Sequence, residues 1–291
     1  MFALTLALAG AVIGAEPHTT ANPVFAQLVD EGIEKGAALP QPSLADGLEA
    51  DAQDAVLKEI VGRAYSLDTF KGRSPVAPQI IRMDDVASGT PDRRIRRVDA
   101  WFVAYGRLDA IADKQFLEGL MSDDSSEEEG NADGKPLTPA DLAARDIKIA
   151  PESAGFEAYA HGSFELLGKV KLTGASRSYW SRTDDSIVAA AMLDPRFTKD
   201  EEFPNQWQPI VRGRDGTAKL GDAVPYQGAG EYIKITRLEN PAGALLIEFH
   251  LIYAEPKGWF SGSNLLTSKL PAVVQNQIRN MRRELAKAQG E

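Results

Sequence analysis

Apolar and polar residues alternate over long stretches of this sequence, and that pattern constrains the fold more than any other feature. Between Phe164 and Leu172 every second residue is apolar or glycine, whereas the charged residues Glu165, Lys169 and Lys171 occupy most of the intervening positions. Successive side chains of a β-strand point to opposite faces, so the alternation predicts strands with one face in a core and the other in water. Further strands are predicted over residues 96–105 and 207–213.

Two pairs of strand patterns are separated by short turn sequences, which predicts two β-hairpins. Asp184 and Asp185 lie in the first turn and suit a tight reversal of the chain, rather than a pair of acid–base carboxylates. In the second turn, Pro241 can fix the entry and Gly243 can adopt the positive φ that closes it. The paired segments are residues 177–182 with 187–193, and 232–238 with 244–253. Because parallel strands would need long crossovers, the short turns predict an antiparallel sheet.

The longest helical pattern in the sequence covers residues 265–288. At 1.5 Å per residue such a helix would reach about 36 Å, which is enough to cross a whole sheet. Pro271 removes a backbone donor, so we expect one turn before it and the main helix after it. The apolar stripe consists of Leu266, Leu270, Val273, Val274, Ile278, Met281 and Leu285. The opposite, polar face carries Gln275, Asn276, Arg279, Arg282 and Arg283, so the pattern is amphipathic.

A predicted helix over residues 51–61, an antiparallel meander and a closing amphipathic helix together resemble the START-like helix-grip superfamily. The resemblance covers residues 65–288 and includes the Gly258-Trp259-Phe260 entry into the last helix. It implies an α+β fold in which a curved antiparallel sheet wraps around the C-terminal helix. It also implies a pocket between sheet and helix for an apolar ligand, and the candidate lining residues are Trp259, Phe260, Leu270, Val274 and Ile278. If side chains fill that gap instead, the fold would be a packed α+β domain.

The first residues of the chain predict export. Residues 2–15 form an uncharged apolar run that is too short to span a bilayer and ends in Ala15, a small residue of the kind that signal peptidase requires. Residues 1–15 are therefore predicted to be a signal peptide, and the protein to be periplasmic or secreted, with no transmembrane span in the mature chain. An uncleaved anchor and a buried N-terminal helix are the alternatives. Frequent proline, glycine and alanine over residues 16–50 predict a flexible leader before a single α+β domain over residues 51–291, with one short helix in the apolar pattern over residues 24–33.

Charge and composition exclude several classes of partner. The chain has 32 Lys and Arg against 42 Asp and Glu, a formal net charge of −10 that opposes binding to nucleic acid. It has no cysteine, which excludes disulfides, thiolate nucleophiles and iron–sulfur clusters. With three histidines, no metal centre and no cofactor are expected. Residues 122–134 carry six acidic residues and predict a surface loop, or alternatively a cation-binding or partner-docking element.

Sequence motifs of the common enzyme classes are missing, so the catalytic candidates rest on one pair of residues. Glu248 and His250 are two residues apart on a predicted strand, and their side chains therefore project from the same face. The carboxylate could orient the imidazole as a general base; alternatively, the two form a polar pair on the outer surface of the sheet. A separate basic cluster could clamp an anionic headgroup or form a solvated strand start, and it consists of Arg93, Arg94, Arg96 and Arg97.

Three functional hypotheses follow from these features. The first is an exported, non-catalytic protein that binds an apolar or amphipathic small molecule. The second is an enzyme, a hydrolase or lyase that uses Glu248 and His250. The third is an envelope-associated interaction module whose acidic loop or N-terminal segment contacts a protein partner that the sequence does not identify.

Overall fold

The computed structural model describes residues 17–111, 133–149, 156–213, 217–226, 228–260 and 265–288. The predicted signal peptide and residues 122–132 of the acidic loop lie outside these residues. The described strands, all paired antiparallel, are β1 (Gln79–Val86), β2 (Arg93–Tyr105), β3 (Asp133–Pro136), β4 (Phe156–Leu166), β5 (Val170–Arg182), β6 (Ser186–Leu193), β7 (Gln206–Arg212), β8 (Ala218–Leu220), β9 (Val224–Pro225), β10 (Ala229–Arg237) and β11 (Ala244–Pro256).

The described helices include one long helix at the C-terminal end and several short ones near the N-terminal end. They are α1 (His18–Ala21), α2 (Pro23–Asp30), α3 (Ala50–Val61), α4 (Leu67–Phe70), α5 (Leu108–Ile111), α6 (Pro139–Ala143) and α7 (Leu265–Ala288), with a 3-10 turn at Pro195–Phe197. The helix expected near the C-terminus is confirmed with its predicted bounds. Pro271 lies in its second turn and does not end it, although proline at this position removes one intrahelical hydrogen bond.

The main sheet has the strand order β1-β2-β11-β10-β6-β5-β4-β3, and β7 pairs with β5, β8 and β9. Both predicted hairpins are confirmed, since β5 pairs with β6 and β10 pairs with β11. Gly243 closes the second turn with a φ of 77°, a conformation that favours glycine. The last strand, β11, lies between β2 and β10 and joins the two halves of the sheet.

The sheet separates two layers, which define its inner and outer faces. The inner face carries Leu245, Ile247 and Leu251 of β11, and these residues share one core cluster with the buried side of α7. The outer face carries Leu246, which clusters with α3 residues such as Leu57. The antiparallel sheet with a long C-terminal helix packed on one face is the α+β, helix-grip-like arrangement that the sequence predicts.

Arg282 anchors α7 to the sheet and corrects an expectation drawn from the helical pattern. The pattern places Arg282 on the polar face, but only 5% of it is exposed. Its guanidinium donates hydrogen bonds to the carbonyl oxygens of Val103 at 2.9 Å, Ala77 at 2.6 Å and Pro78 at 2.9 Å. Burial lowers the pKa of Arg282 to about 10. The charged guanidinium of Arg282 is therefore buried, and backbone carbonyl oxygens take the place of water as its hydrogen-bond acceptors.

Residues 17–49, here called the leader, form an ordered layer over the outer face rather than the flexible tether that their composition predicts. Asn22 caps α2 by accepting a hydrogen bond from the backbone N–H of Phe25 at 2.9 Å. The Phe25 ring meets Tyr232 of β10 edge-on, with ring centroids 4.9 Å apart. A Cβ on Gly230 would lie 2.3 Å from a methyl group of Leu28, so any larger residue there would force the Leu28 side chain to move. Apolar packing of α2 thus holds the leader against the sheet.

Candidate ligand-binding site

Glu231 is a half-buried residue on the inner face of the sheet. It lies between Leu251 of β11 and Ala191 of β6, and its inner-face neighbours along β10 are Ala229 and Ile233. Its Oε2 atom is shielded from solvent and has no hydrogen-bond partner in the part of the chain that the structure describes. Burial raises the pKa of Glu231 to about 8, so the group is largely protonated at neutral pH. A protonated carboxyl can both donate and accept a hydrogen bond.

Small side chains surround Glu231 on the neighbouring strand. Ala189 and Ala191 of β6 lie between Glu231 and Trp180 of β5, which pairs with Ala189. The Trp180 Nε1 atom is also buried without an acceptor among the described residues. Phe249 and Trp180 are only partly buried although they lie on the inner face. This arrangement combines an apolar floor with two unused polar groups, a pattern typical of sites for small molecules.

The structure places the predicted pocket residues in the same core as the inner face. Trp259 stacks on Tyr226, with ring centroids 5.4 Å apart, and meets Trp207 edge-on at 6.1 Å. Only 4% of Trp259 and 8% of Phe260 is exposed. The Trp259 ring also meets the Phe260 ring edge-on, with centroids 6.2 Å apart, so these aromatic rings pack together in the core. The helix residues Leu270, Val274 and Ile278 are buried in this core as well, and contact between any of these five side chains and a ligand remains a prediction.

Glu248 is buried beneath the leader on the outer face of the sheet. Its Oε2 atom accepts hydrogen bonds from the backbone N–H of Ser43 at 2.7 Å and from Trp101 Nε1 at 3.0 Å. Its Oε1 atom accepts a hydrogen bond from the backbone N–H of Leu44 at 3.1 Å. These donors tie the leader to β11 and β2. The carboxylate therefore holds two layers of the fold together.

His250 takes its orientation from Asp99 rather than from Glu248. Its Nδ1 atom lies 2.7 Å from Asp99 Oδ1, whereas its Nε2 atom lies 4.0 Å from Glu248 Oε2. Asp99 also accepts a hydrogen bond from Arg97 Nε at 2.9 Å. Neither Glu248 nor His250 is exposed, so they do not form a polar pair on a solvated surface. The signal that could have identified Asp99 is its charge within the otherwise apolar strand that contains Trp101.

A second group of polar side chains ties both ends of the leader to the sheet. Lys234 of β10 forms an ion pair with Asp46 at 2.7 Å, and the Ser186 hydroxyl donates to the same carboxylate at 2.8 Å. The two ring nitrogens of His18 lie 2.7 Å from the hydroxyl oxygens of Ser181 and Ser186. Burial lowers the pKa of His18 to about 4 and keeps the imidazole neutral. Asp46 and His18 of the leader are therefore both paired with polar side chains of the sheet.

Three of the four arginines at the start of β2 are also paired with carboxylates. Arg94 is exposed and has no ion-pair partner among the described residues. The pairs are Arg93 with Glu34, Arg96 with Asp85 and Glu255, and Arg97 with Asp84 and Asp99. This cluster is therefore largely neutralised by the protein itself, which leaves little of it to clamp an anionic headgroup.

Within the described ranges we find neither a group of side chains that could bind a metal ion nor a helix that could span a membrane. No group of three or more His, Asp or Glu residues there is arranged to hold a metal ion. None of the described helices combines the length and apolarity needed to cross a membrane.

Comparison with known proteins yields similarity at the level of structure only. No protein-family model matches the sequence, and no curated protein sequence is significantly similar to it. The structure of human STARD10 is 9% identical, covers 82% of this chain and 84% of its own, and gives a TM-score of 0.37. The human StarD13 (DLC2) lipid transfer and protein localization domain is 10% identical, with coverages of 82% and 98% and a TM-score of 0.43.

A third similar structure is an uncharacterized protein from Rhizobium leguminosarum, which is 8% identical, with coverages of 67% and 98% and a TM-score of 0.31. Two START domains are thus among the solved structures that resemble this chain, as its element order suggests. At these identities and TM-scores the likeness concerns architecture alone, and no ligand or activity follows from it.

Proposed function

We propose that the protein is a non-catalytic binding protein for an amphipathic small molecule that lies on the inner face of the sheet beside α7. The observation that carries this proposal is the buried Oε2 atom of Glu231, which has no partner among the described residues. Leaving a buried polar atom unpaired costs about 1–3 kcal/mol, and a ligand that pairs with it recovers that free energy. The polar group of the ligand would therefore contact Glu231.

The surroundings of Glu231 define the chemistry of this ligand. Ala189, Ala191 and Phe249 provide apolar surface for a hydrocarbon body. The protonated carboxyl suits a neutral head such as a hydroxyl or an amide, because these groups both donate and accept. Trp180 Nε1 supplies one further donor. A lipid with a small uncharged head has this combination of properties.

Native mass spectrometry of the protein purified without detergent tests the proposal. We expect the wild type to carry an adduct of defined mass that organic extraction removes. Glu231→Leu should lose most of that adduct, because leucine keeps the apolar surface but offers no hydrogen bond. Glu165→Leu is the matched control, since Glu165 is an exposed glutamate of β4 and should leave the adduct unchanged.

Two results would contradict the proposed function. One is a wild-type protein that carries no adduct and extracts no lipid from vesicles of mixed phospholipids and fatty alcohols. The other is an adduct that persists in Glu231→Leu at the wild-type level, which would remove Glu231 from the site. The hydrolase or lyase hypothesis has less support, because the described contacts of Glu248 are with the leader and with neighbouring strands.

Export is a further part of the proposal, and it rests on the apolar run over residues 2–15. We expect the mature chain to begin near Glu16 and to appear outside the cytoplasm. N-terminal sequencing of the protein from fractionated cells checks this. A chain that keeps residues 1–15 in the cytoplasmic fraction would contradict export without affecting the binding site.

A further inference from the structure

A polar cleft of about 360 Å³ opens on the outer face of the sheet, at the opposite end of the strand order from β1. Gln27 of α2 forms part of its wall, and the paired strands β4 and β5 supply Tyr159 and Arg177. Arg196 from the 3-10 turn and Lys148 also line it. This cleft lies on the other side of the sheet from Glu231 and is independent of the proposed inner-face site.

The two acidic residues of the cleft are each neutralised by an arginine. Glu157 accepts hydrogen bonds from Arg177 Nε at 2.6 Å and from the Tyr159 hydroxyl at 3.1 Å. Asp194 accepts hydrogen bonds from Arg196 Nε at 2.9 Å and 3.0 Å, one to each oxygen. The side chains of Glu157 and Asp194 are 2% and 4% exposed, so both are buried behind their arginines. Little acceptor capacity therefore faces the cleft.

Several hydrogen-bond donors of the cleft, by contrast, have no acceptor among the described residues. Only the Nε atom of Arg177 is engaged by described residues, which leaves both terminal nitrogens of its guanidinium. Arg196 keeps Nη1, and the exposed Lys148 has no hydrogen-bond or ion-pair partner among the described residues. Three cations against two acids make this cleft locally positive in a chain of net charge −10. The charged groups left over are all donors.

We propose that this cleft binds a small oxyanion, the phosphate or carboxylate group of a soluble molecule. The free edge of the Arg177 guanidinium presents two parallel N–H donors, which match two oxygens of such a group. Lys148 adds a positive charge that has no ion-pair partner within the described ranges, and Gln27 can donate through its amide. The ion pairs with Glu157 and Asp194 hold both guanidinium groups in place before the ligand arrives.

Nuclear magnetic resonance titration of the full chain with inorganic phosphate, and separately with acetate, tests this site at low ionic strength. We expect a saturable shift of the Arg177 side-chain signals with at least one of the two anions, and the anion that binds identifies the source chemistry. Lys148→Glu should weaken binding by about tenfold, because it replaces a charged donor with a repelling carboxylate. Arg177→Lys should also weaken it, since lysine keeps the charge but lacks the two-pronged donor.

Lys58→Glu is the matched control, because Lys58 is an exposed lysine of α3 at another part of the outer layer. An equal loss in Lys58→Glu would show a general charge effect and overturn the site. The absence of a saturable shift with both anions would overturn it as well, as would wild-type affinity in Lys148→Glu. If Arg177→Lys does not fold because Glu157 loses its partner, Lys148→Glu decides alone, since its exposed side chain has no described partner.

Discussion

Glu248 and Glu231 lie on the neighbouring strands β11 and β10, yet their carboxyl groups meet opposite conditions. On the outer face, Glu248 accepts hydrogen bonds from two backbone N–H groups of the leader and from Trp101. On the inner face, the Oε2 atom of Glu231 has no partner among the described residues. One sheet therefore carries a satisfied and an unsatisfied buried carboxyl on its two sides.

This difference in hydrogen bonding suggests a structural role for Glu248 and a ligand-binding role for Glu231. Nearly all buried polar groups in folded proteins are paired, and each exception calls for a specific explanation. The burial of the Glu248 carboxylate is explained by its hydrogen bonds to the leader. Glu231 has no such explanation within the described fold, so a ligand is the partner that we propose for it. The variants below test the two sides in turn.

Removing the outer carboxylate should have the largest effect on stability. Glu248→Ala leaves the backbone N–H groups of Ser43 and Leu44 without their acceptor and leaves Trp101 Nε1 with the Ser43 hydroxyl alone, and we expect a loss of about 3–5 kcal/mol in the free energy of unfolding. Urea denaturation measures this loss, and hydrogen exchange at Ser43 and Leu44 should accelerate. The exposed control Glu165→Ala should change stability by less than about 0.5 kcal/mol. A similarly small loss for Glu248→Ala would show that the leader is held without it.

Low pH should destabilise the folded protein through His18, a leader residue that contacts the outer face of the sheet. The pKa of His18 is about 4 in the folded protein, below its ordinary value of 6.5, so the unfolded chain binds the proton first as pH falls. The stabilisation is therefore complete above pH 6.5 and is lost between pH 6.5 and 4, by about 2 kcal/mol from pH 7 to pH 5. His18→Gln cannot titrate and should lose this part of the pH dependence in urea titrations. Parallel curves for the two proteins would contradict the assignment.

Replacing the inner carboxyl should stabilise the ligand-free protein. Glu231→Leu removes an unpaired polar group, and we expect a gain of about 1–2 kcal/mol in the free energy of unfolding. The pKa of Glu231 is raised from 4.5 to about 8, so its favourable contribution is present below pH 4.5 and is lost as pH rises to 8. The gain should accordingly be larger at pH 8 than at pH 5 in thermal unfolding. A destabilised Glu231→Leu would instead mean that the carboxyl has a partner in the fold.

The smallest effect is expected at the exposed edge of the leader. Asp185 accepts a hydrogen bond from the backbone N–H of Gly47 at 3.0 Å in a solvent-exposed position. Asp185→Ala should therefore cost only about 0.5 kcal/mol, because water replaces the carboxylate as acceptor. Urea denaturation beside Glu248→Ala measures the contrast. A loss as large as that of Glu248→Ala would show that exposure does not set the strength of leader contacts.

Local patterns were sufficient to predict the central strands, the two hairpin turns and the C-terminal helix, but they did not reveal β1, β3, β8 or β9. The glycine at position 243 reports on its neighbouring residues, and the structure agrees with it. The alternation from Phe164 to Leu172 predicted one strand, but the chain reverses at residues 167–169 and the two ends of this pattern pair with each other as β4 and β5. The period of two continues across the turn, so the pattern does not reveal the reversal. The leader was misjudged because its partners are distant in sequence. Ser43 bonds to Glu248 across 205 positions, and no local pattern reveals such a contact.

The candidate site was harder to predict than the fold, for related reasons. Glu231 lies one residue before the predicted strand over residues 232–238, where a charged residue is typical of a solvated strand end. Arg282 falls on the polar side of the helical pattern, yet backbone carbonyls from β2 and from residues 75–78 surround it. Burial of a charged group depends on what packs against it, and that information comes only from the tertiary structure.

The central place of β11 determines when the fold can be completed during synthesis. This strand is made after every other strand of the sheet, yet both β2 and β10 need it as a neighbour. Until β11 leaves the ribosome, β2 keeps one edge open, and the leader lacks the acceptors that fix Ser43 and Leu44. Long-range pairing of this kind slows folding and leaves strand edges exposed to other chains. A nascent form of this protein should therefore depend on chaperones until its last sixth has been translated.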